Sequence, residues 1–378
     1  MPLTLRVDEQ RWCAHLRDVV RRHPGVVPVA KGNGYGFGVR RLAGLVSALG
    51  SEMLAVGTYD ELSQVRGQFG DDLLVLSPWR PFLPGAPADD RVVHTIGRPA
   101  DLPALARLGG RPRVLLEGLT SMRRHGLTPA QMAGLDRSGV RVEGLALHLS
   151  PQCDHLSQVE SWLALERWRR VFVSYLTERE LAELSARHPG VELRPRAGTG
   201  LWLGDRGALS VTSTVLDVHA VRRGERAGYR QRWVPTDGHL VVVAGGTAHG
   251  VGLRAPTAGP TMRDRAAALA KGGLEAAGLA LSPFRIGGRQ RWFLEPPHMQ
   301  VSLLIVPAGT SPPSVGEEIP VESRFTTTIF DRVVTTEGVE LSHSAASAAE
   351  ICGTAWNPRN PSNPRNASET AAADARSR

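Results

Sequence analysis

Short apolar runs alternate with amphipathic stretches through the first half of the chain. The runs include VVPVA at 26–30, LLVLS at 73–77, VVHTI at 92–96, PRVLLEG at 112–118, VEGLALHLS at 142–150, RVFVS at 170–174 and VELRPRAG at 191–198. Brief apolar runs bounded by Gly and Pro read as strands buried on both faces, and the periodic stretches between them read as helices. Repeated strand and helix units predict an α/β fold, a (β/α)8 TIM-like barrel over residues 1–205. Such barrels commonly need about 250 residues, so some helices are expected to be trimmed. From 206 the pattern changes to alternating runs broken by Gly and Pro, such as ALSVTSTVLDVHAV and HLVVVAGG. This predicts a mostly-β second domain over 206–355. After Trp356 apolar periodicity is lost in a stretch rich in Asn, Pro, Arg, Ser and Ala, and residues 356–378 are expected to be a disordered tail.

Composition narrows this picture. At 378 residues and 42% hydrophobic content, two ordinary soluble cores are expected. The segment Met1–Trp12 has no apolar signal-like region and no long uncharged apolar run occurs, so a cytoplasmic protein without membrane association is expected. Cys13, Cys153 and Cys352 are scattered, without metal-ligand spacing, and are expected to be unpaired, buried thiols with no metal site. The net charge is +8, but arginines are spread along the chain with interleaved acids. A compositional bias is expected here, with no nucleic-acid partner.

That bias makes one residue conspicuous. Of 45 basic residues only Lys31 and Lys271 are lysines. Arg holds its proton at any usable pH, whereas Lys can lose it and attack an aldehyde to form a Schiff base. Lys31 closes the run VVPVA and is followed by Gly32, Gly34, Gly36 and Gly38 before a helical pattern resumes at Leu42. Strand, lysine, glycine loop and helix in this order predict a ligand site in which backbone N–H groups approach a phosphate. Tyr35 could add a hydroxyl donor.

The string from Pro28 to Gly38, PVAKGNGYGFG, resembles the first signature of the alanine racemase family, A-V-V-K-A-N-A-Y-G-H-G, within the fold-type III pyridoxal 5'-phosphate (PLP) enzymes. The resemblance runs in order through roughly residues 3–353. It implies that Lys31 carries PLP as a Schiff base and that Tyr35 contacts its phosphate. The string LRPRAGTGLWLG resembles V-R-P-G-I-A-L-Y-G. That match implies Arg196 at the pyridine nitrogen, where a permanently protonated donor makes the ring a weaker electron sink, and Gly198 and Thr199 at the phosphate. His148 matches a histidine near the cofactor ring, and Ser174 stands where the family has an Asn-Ser phosphate contact. The stretch VLLEGLTSMRRHG resembles H-L-K-x-D-T-G-M-x-R-L-G. It implies Arg124 on the substrate carboxylate, with Glu117 supplying the negative charge of the family's carbamylated lysine and a salt bridge to Arg124.

Three departures bear on catalysis. Where the family's second domain has G-Y-A-D-G, whose tyrosine is the acid/base group facing the lysine, this chain has Gly246-Thr247-Ala248-His249-Gly250. The hydroxyl of Thr247 is a far weaker acid than a phenol, and His249 is the titratable residue that could stand in. Ala349-Glu350-Ile351-Cys352 replaces Y-E-I-L, and Gln300 follows Met299 where M-D-Q is expected at the substrate. The resemblance therefore implies a PLP-dependent amino-acid racemase that interconverts L- and D-alanine for cell-wall precursors. It would act as a homodimer with a shared active site and an amino acid as its small-molecule partner. The alternative is a noncatalytic or one-base PLP or amino-acid binding homologue, a regulator or partner of cell-wall enzymes.

Overall fold

The structure is a computed structural model and describes residues 2–83, 89–253 and 280–341, with Met262 and Gly272 between them. Strand β1 is Leu3–Val7, followed by helix α1 (Glu9–Arg22). Then come β2 (Val27–Pro28), α2 (Val39–Ala48), β3 (Met53–Val56), α3 (Leu62–Val65), β4 (Asp72–Val75) and β5 (Val92–Ile96). They continue with α4 (Asp101–Ala106), β6 (Arg113–Gly118), α5 (Pro129–Ala133), β7 (Arg141–Leu147) and α6 (His155–Leu163). The series closes with β8 (Arg170–Val173), α7 (Glu178–Arg187), β9 (Glu192–Ala197) and α8 (Thr199–Trp202).

Strands β2 to β9 form one parallel sheet in the order β2-β9-β8-β7-β6-β5-β4-β3. A single bridge between Val29 and Ala55 joins its two ends. The barrel is thus nearly closed, and short α3, α4 and α5 are the trimmed helices that its length requires.

Alternation along the strands sorts the core into two layers. Val114, Leu116, Leu145, Leu147, Val171 and Val173 pack in one cluster with the helix residues Leu102, Leu105, Met132, Val159, Trp162 and Leu184, so they face outward. Val27, Val29, Met53, Ala55, Leu74, Val93, Leu115, Ala146 and Phe172 form a second cluster drawn from strands and their extensions, and these fill the barrel interior.

Contacts divide the chain into two units: Gln10–Gly34 with Gly38–Gly204, and Met1–Glu9 with Tyr35–Phe37 and Asp205–Leu341. The change near 205 falls where the pattern changes. The first strand, however, belongs with the β unit, because Leu3–Val7 pairs antiparallel with β10 (Leu209–Val221), Leu3 opposite Ser213. The β unit continues with β11 (Arg226–Ala227), β12 (Arg232–Trp233), β13 (Gly238–Ala244), β14 (Leu281–Ile286), β15 (Arg289–Phe293), β16 (Val301–Pro307), β17 (Glu318–Pro320) and β18 (Arg332–Thr335). Its main sheet runs β14-β15-β16-β13-β10-β1-β18, with β17 also on β10. Among the described residues no helix is long and apolar enough to cross a membrane. No cluster of His, Cys, Asp and Glu there could hold a metal ion. Cys153 is a free thiol, whereas Cys13 is disulfide-bonded, which corrects the expectation of unpaired cysteines; separation along the chain carries no information about such a pairing. The tail at 356–378 and the segment Ala349–Cys352 lie outside the described residues.

Candidate active site

The period of two that fills the barrel interior also places the chemistry. Two residues beyond the interior positions Val29, Leu115, Ala146 and Phe172 come Lys31, Glu117, His148 and Ser174. On β9 the same alternation carries Arg194, whose guanidinium lies over the Phe172 ring at 5.6 Å, to Arg196. All five lie at the C-terminal ends of parallel strands, where a barrel gathers its ligand site. Their mutual electrostatic influence agrees: Lys31 is affected by Arg124 and Arg196, His148 by Arg196, Arg124 and Lys31, and Glu117 by Arg196 and Arg124.

The loop after Lys31 turns on glycine. Gly34 has φ +60° and a Cβ there would lie 2.5 Å from the Val39 amide nitrogen, so no other residue fits without moving the start of α2. Glu61 fastens this loop to its neighbour, accepting from Gly32 N–H at 2.7 Å and Gly57 N–H at 2.6 Å. Lys31 is solvent-accessible. Its ammonium is nevertheless pushed below the ordinary lysine range, first by the protein that displaces water around it and then by the Arg124 and Arg196 guanidiniums, against the pull of Glu61. An amine so placed loses its proton more readily, which is what a nucleophilic lysine requires.

Arg196 Nη2 donates to Leu147 O at 2.9 Å, while its buried Nε has no partner. Burial lowers its pKa to about 10, opposed by Glu117 and reinforced by Arg124. Glu117 is 3% exposed and its Oε2 is also unpartnered. Burial raises its pKa, with Arg196, Arg124 and Arg80 pulling the other way. The expected salt bridge is not formed: among the described residues Glu117 has no ion pair with Arg124, whose exposed loop is folded back by Leu127 N–H to Glu117 O at 2.7 Å. A raised carboxyl pKa means the native state binds a proton more tightly than the unfolded chain, so stability falls as pH rises from the ordinary carboxylate value through the raised one. Glu117→Gln removes this dependence. Urea unfolding should therefore show the variant gaining stability relative to wild type at pH 7 compared with pH 4; an equal difference at both would refute the assignment.

His148 is held by Ser174, whose Oγ lies 3.2 Å from Nδ1 and accepts from Leu149 N–H at 3.1 Å. We assign the hydroxyl hydrogen to Nδ1, which leaves the imidazole proton on Nε2. Desolvation and the neighbouring cations drop the His148 pKa to about 3, so the ring is neutral across the physiological range. Gly198 precedes α8, and Thr199 and Gly200, the first residues of that helix, have amides with no intrahelical acceptor. Tyr35 is buried at 6% exposure with φ +55° and ψ +28°. A cavity of about 300 Å³ lined by Thr58, Tyr59, Asp60, Ser77 and His125, among others, omits Lys31, Glu117 and Arg196 and does not define the site.

The remaining candidates sit in the β unit. Thr247 and Met299 are exposed on paired loops, with Thr247 N–H on His298 O at 2.8 Å and Ala248 N–H on Met299 O at 2.9 Å. His249 is 8% exposed; its Nδ1 accepts from Gly246 N–H at 3.2 Å and its Nε2 lies 3.1 Å from Asp331 Oδ1. Both ring nitrogens are thus engaged in holding this turn. Sequence reasoning missed Glu61, whose partner Gly32 is 29 residues away, and Tyr175, which follows Ser174 with φ +63°.

Residues 7–189 match the family model "Alanine racemase, N-terminal domain". The alanine racemase of Mycolicibacterium vanbaalenii is 31% identical over 278 residues, covering 63% of this chain and 70% of that protein. That of Mycobacterium tuberculosis is 28% identical over 270 residues, covering 62% and 70%. Among solved structures, alanine racemase from E. faecalis superposes with TM-score 0.62 at 21% identity, covering 93% of this chain and 95% of that one. A histidine racemase from Leuconostoc mesenteroides gives 0.58 at 16%, covering 93% and 94%; at these identities the likeness shows the shared fold. With a lysine-bearing barrel, a β unit and relatives matched over most of their length, the chain belongs to the alanine racemase family.

Proposed function

We propose that this protein is a PLP-dependent amino-acid racemase acting on a small amino acid, with alanine the first substrate to test. The observation that carries the reading is Lys31, an amine with a depressed pKa beside the buried, unpartnered Nε of Arg196. A buried N–H without a partner costs free energy unless a ligand acceptor meets it, and the cofactor's ring nitrogen is such an acceptor. Lys31 would hold PLP covalently, Arg196 would hold its ring nitrogen, and the Thr199 and Gly200 amides that follow Gly198, with Ser174 and Tyr35, would hold its phosphate. When bound, PLP withdraws electrons from the substrate α-carbon and so acidifies its C–H bond.

The chain's own residues supply the rest. Arg124, which has no ion pair among the described residues, binds the substrate carboxylate as a guanidinium can. Lys31 Nζ takes or returns the α-proton on its side. His148, neutral and oriented by Ser174, offers an Nε2–H donor without adding charge. Of the two candidates for the other side of the α-carbon, Thr247 is a weak acid and His249 is occupied by Gly246 and Asp331. A cytoplasmic homodimer in which each β unit serves its partner's site, supplying D-alanine for cell-wall synthesis, is the reading that goes with the family.

The test is the absorbance spectrum of the purified protein with PLP before and after borohydride, followed by amino-acid incubation in deuterated water. A reducible visible band with α-deuterium in both enantiomers supports the racemase. A band without exchange of any amino acid would replace it by the binding-protein reading.

A further inference from the structure

Tyr175 departs from what its position in the fold requires. Strand β8 ends at Val173 and α7 begins at the capping box of Thr177 and Glu180, so three residues reverse the chain. Tyr175 does this with φ +63°, a conformation that a bulky side chain adopts only when its surroundings impose it. A glycine would serve the turn more cheaply. The ring is not stored in the core either, because Tyr175 is 55% exposed. Its contact is the edge of the His148 ring, with centroids 6.1 Å apart at 61°. The other phenol in this unit is consumed elsewhere: Tyr59 Oη lies 2.8 Å from His94 Nδ1.

Strand order gives this phenol a place. In the sheet β9 lies between β2 and β8, so Lys31, following β2, and Tyr175, following β8, stand on either side of Arg196. A substrate bound near Arg196 would therefore have the lysine on one side and the tyrosine on the other. We propose that Tyr175 is a further catalytic residue, the acid/base group that works on the α-carbon from the side opposite Lys31. This rests on the racemase reading above.

In one direction of the reaction Lys31 Nζ would accept the α-proton as the C–H bond breaks, and the C–H electron pair would be stabilised by the electron-withdrawing cofactor that Lys31 and Arg196 would hold. The Tyr175 O–H bond then breaks as its proton forms the new C–H bond on the other face. Solvent returns the phenolic proton and removes the ammonium proton, so no net proton, electron or co-reactant is consumed. The Nε2–H of His148, whose ring lies 6.1 Å from that of Tyr175, is not used by Ser174.

The experiment compares wild type with Tyr175→Phe, both loaded with PLP, in deuterated water containing the protein amino acids, read by chiral mass spectrometry. Phe keeps the ring and the packing on His148. The expected result is an unchanged cofactor band and PLP affinity within about twofold, α-deuterium still entering one enantiomer, and racemisation reduced by about 100-fold or more. Racemisation within about threefold of wild type overturns the role of Tyr175 and leaves the racemase reading intact. Loss of PLP affinity along with exchange of both enantiomers makes Tyr175 a structural residue and overturns the proposal. No exchange by wild type of any component overturns the racemase reading itself and Tyr175 with it.

Discussion

Lys31→Ala is expected to remove the borohydride-reducible band of the PLP-loaded protein completely and to lower amino-acid exchange by about 10⁴-fold or more, while the ligand-free protein loses no stability. The first part follows from chemistry: no other amine in the barrel unit's described residues can replace it, because every other side-chain cation there is Arg or His. The second follows from electrostatics. Protein that displaces water around the amine and two guanidiniums disfavour the Lys31 ammonium in the folded state, and a group whose folded pKa lies below its unfolded value costs stability at pH below that unfolded value. Deleting it at pH 7 should leave the urea midpoint unchanged or raise it. Lys31→Arg sharpens the test, since it keeps a positive charge at the same place and is expected to be as inactive as Lys31→Ala. A Lys31→Arg protein with the wild-type band and exchange would show that the position carries charge and no covalent chemistry.

Trp202→Ala is expected to cost about 3–5 kcal/mol of stability. Trp202 is fully buried, its ring 6.4 Å from that of Trp12. It is also fixed at both polar ends: its Nε1 donates to Val29 O at 2.8 Å, and Trp12 Nε1 donates to Trp202 O at 2.9 Å. Val29 is two residues from Lys31, so the cavity opens directly behind the strand that presents the amine. Trp202→Phe keeps most of the ring but leaves the Val29 carbonyl without its donor, a loss of about 1–3 kcal/mol, and should weaken PLP binding more than overall stability. Urea unfolding and a PLP titration of both variants check this. A Phe variant with wild-type PLP affinity would separate the tryptophan pair from the site.

How much of this was legible along the chain depended on the range of the interactions. The strand at 92–96 and those near 112–118, 142–150 and 170–174 were readable because a doubly covered strand is apolar on both faces, and they appear as β5, β6, β7 and β8. Lys31 was readable because glycines and an apolar run flank it locally. Leu3–Val7 could not be assigned to the β unit, since its partner Ser213 lies 210 residues away and its composition suits either sheet. The salt bridge expected between Glu117 and Arg124 failed for a related reason: residue type predicted attraction, but the backbone of the loop decides whether two side chains meet. The orphaned Arg196 Nε, the closure of His249 onto Asp331 and the left-handed turn at Tyr175 are properties of packed geometry, and no spacing in the sequence encodes them.

The seam between β2 and β3 has one bridge, Val29 with Ala55, where other neighbours in the barrel share longer ladders. Across it Glu61 reaches from Gly57 N–H to Gly32 N–H, so a side chain supplies what a ladder supplies elsewhere. The ring of strands is therefore completed by a residue that evolution can exchange in a single step, at the one place where the reactive amine stands. In a screen scored by activity, losses at Glu61 would look like damage to chemistry, although its carboxylate is engaged with backbone amides. Ancestry among divergent members of this family could then be traced through how each chain closes its barrel, a trait that can drift while the lysine stays.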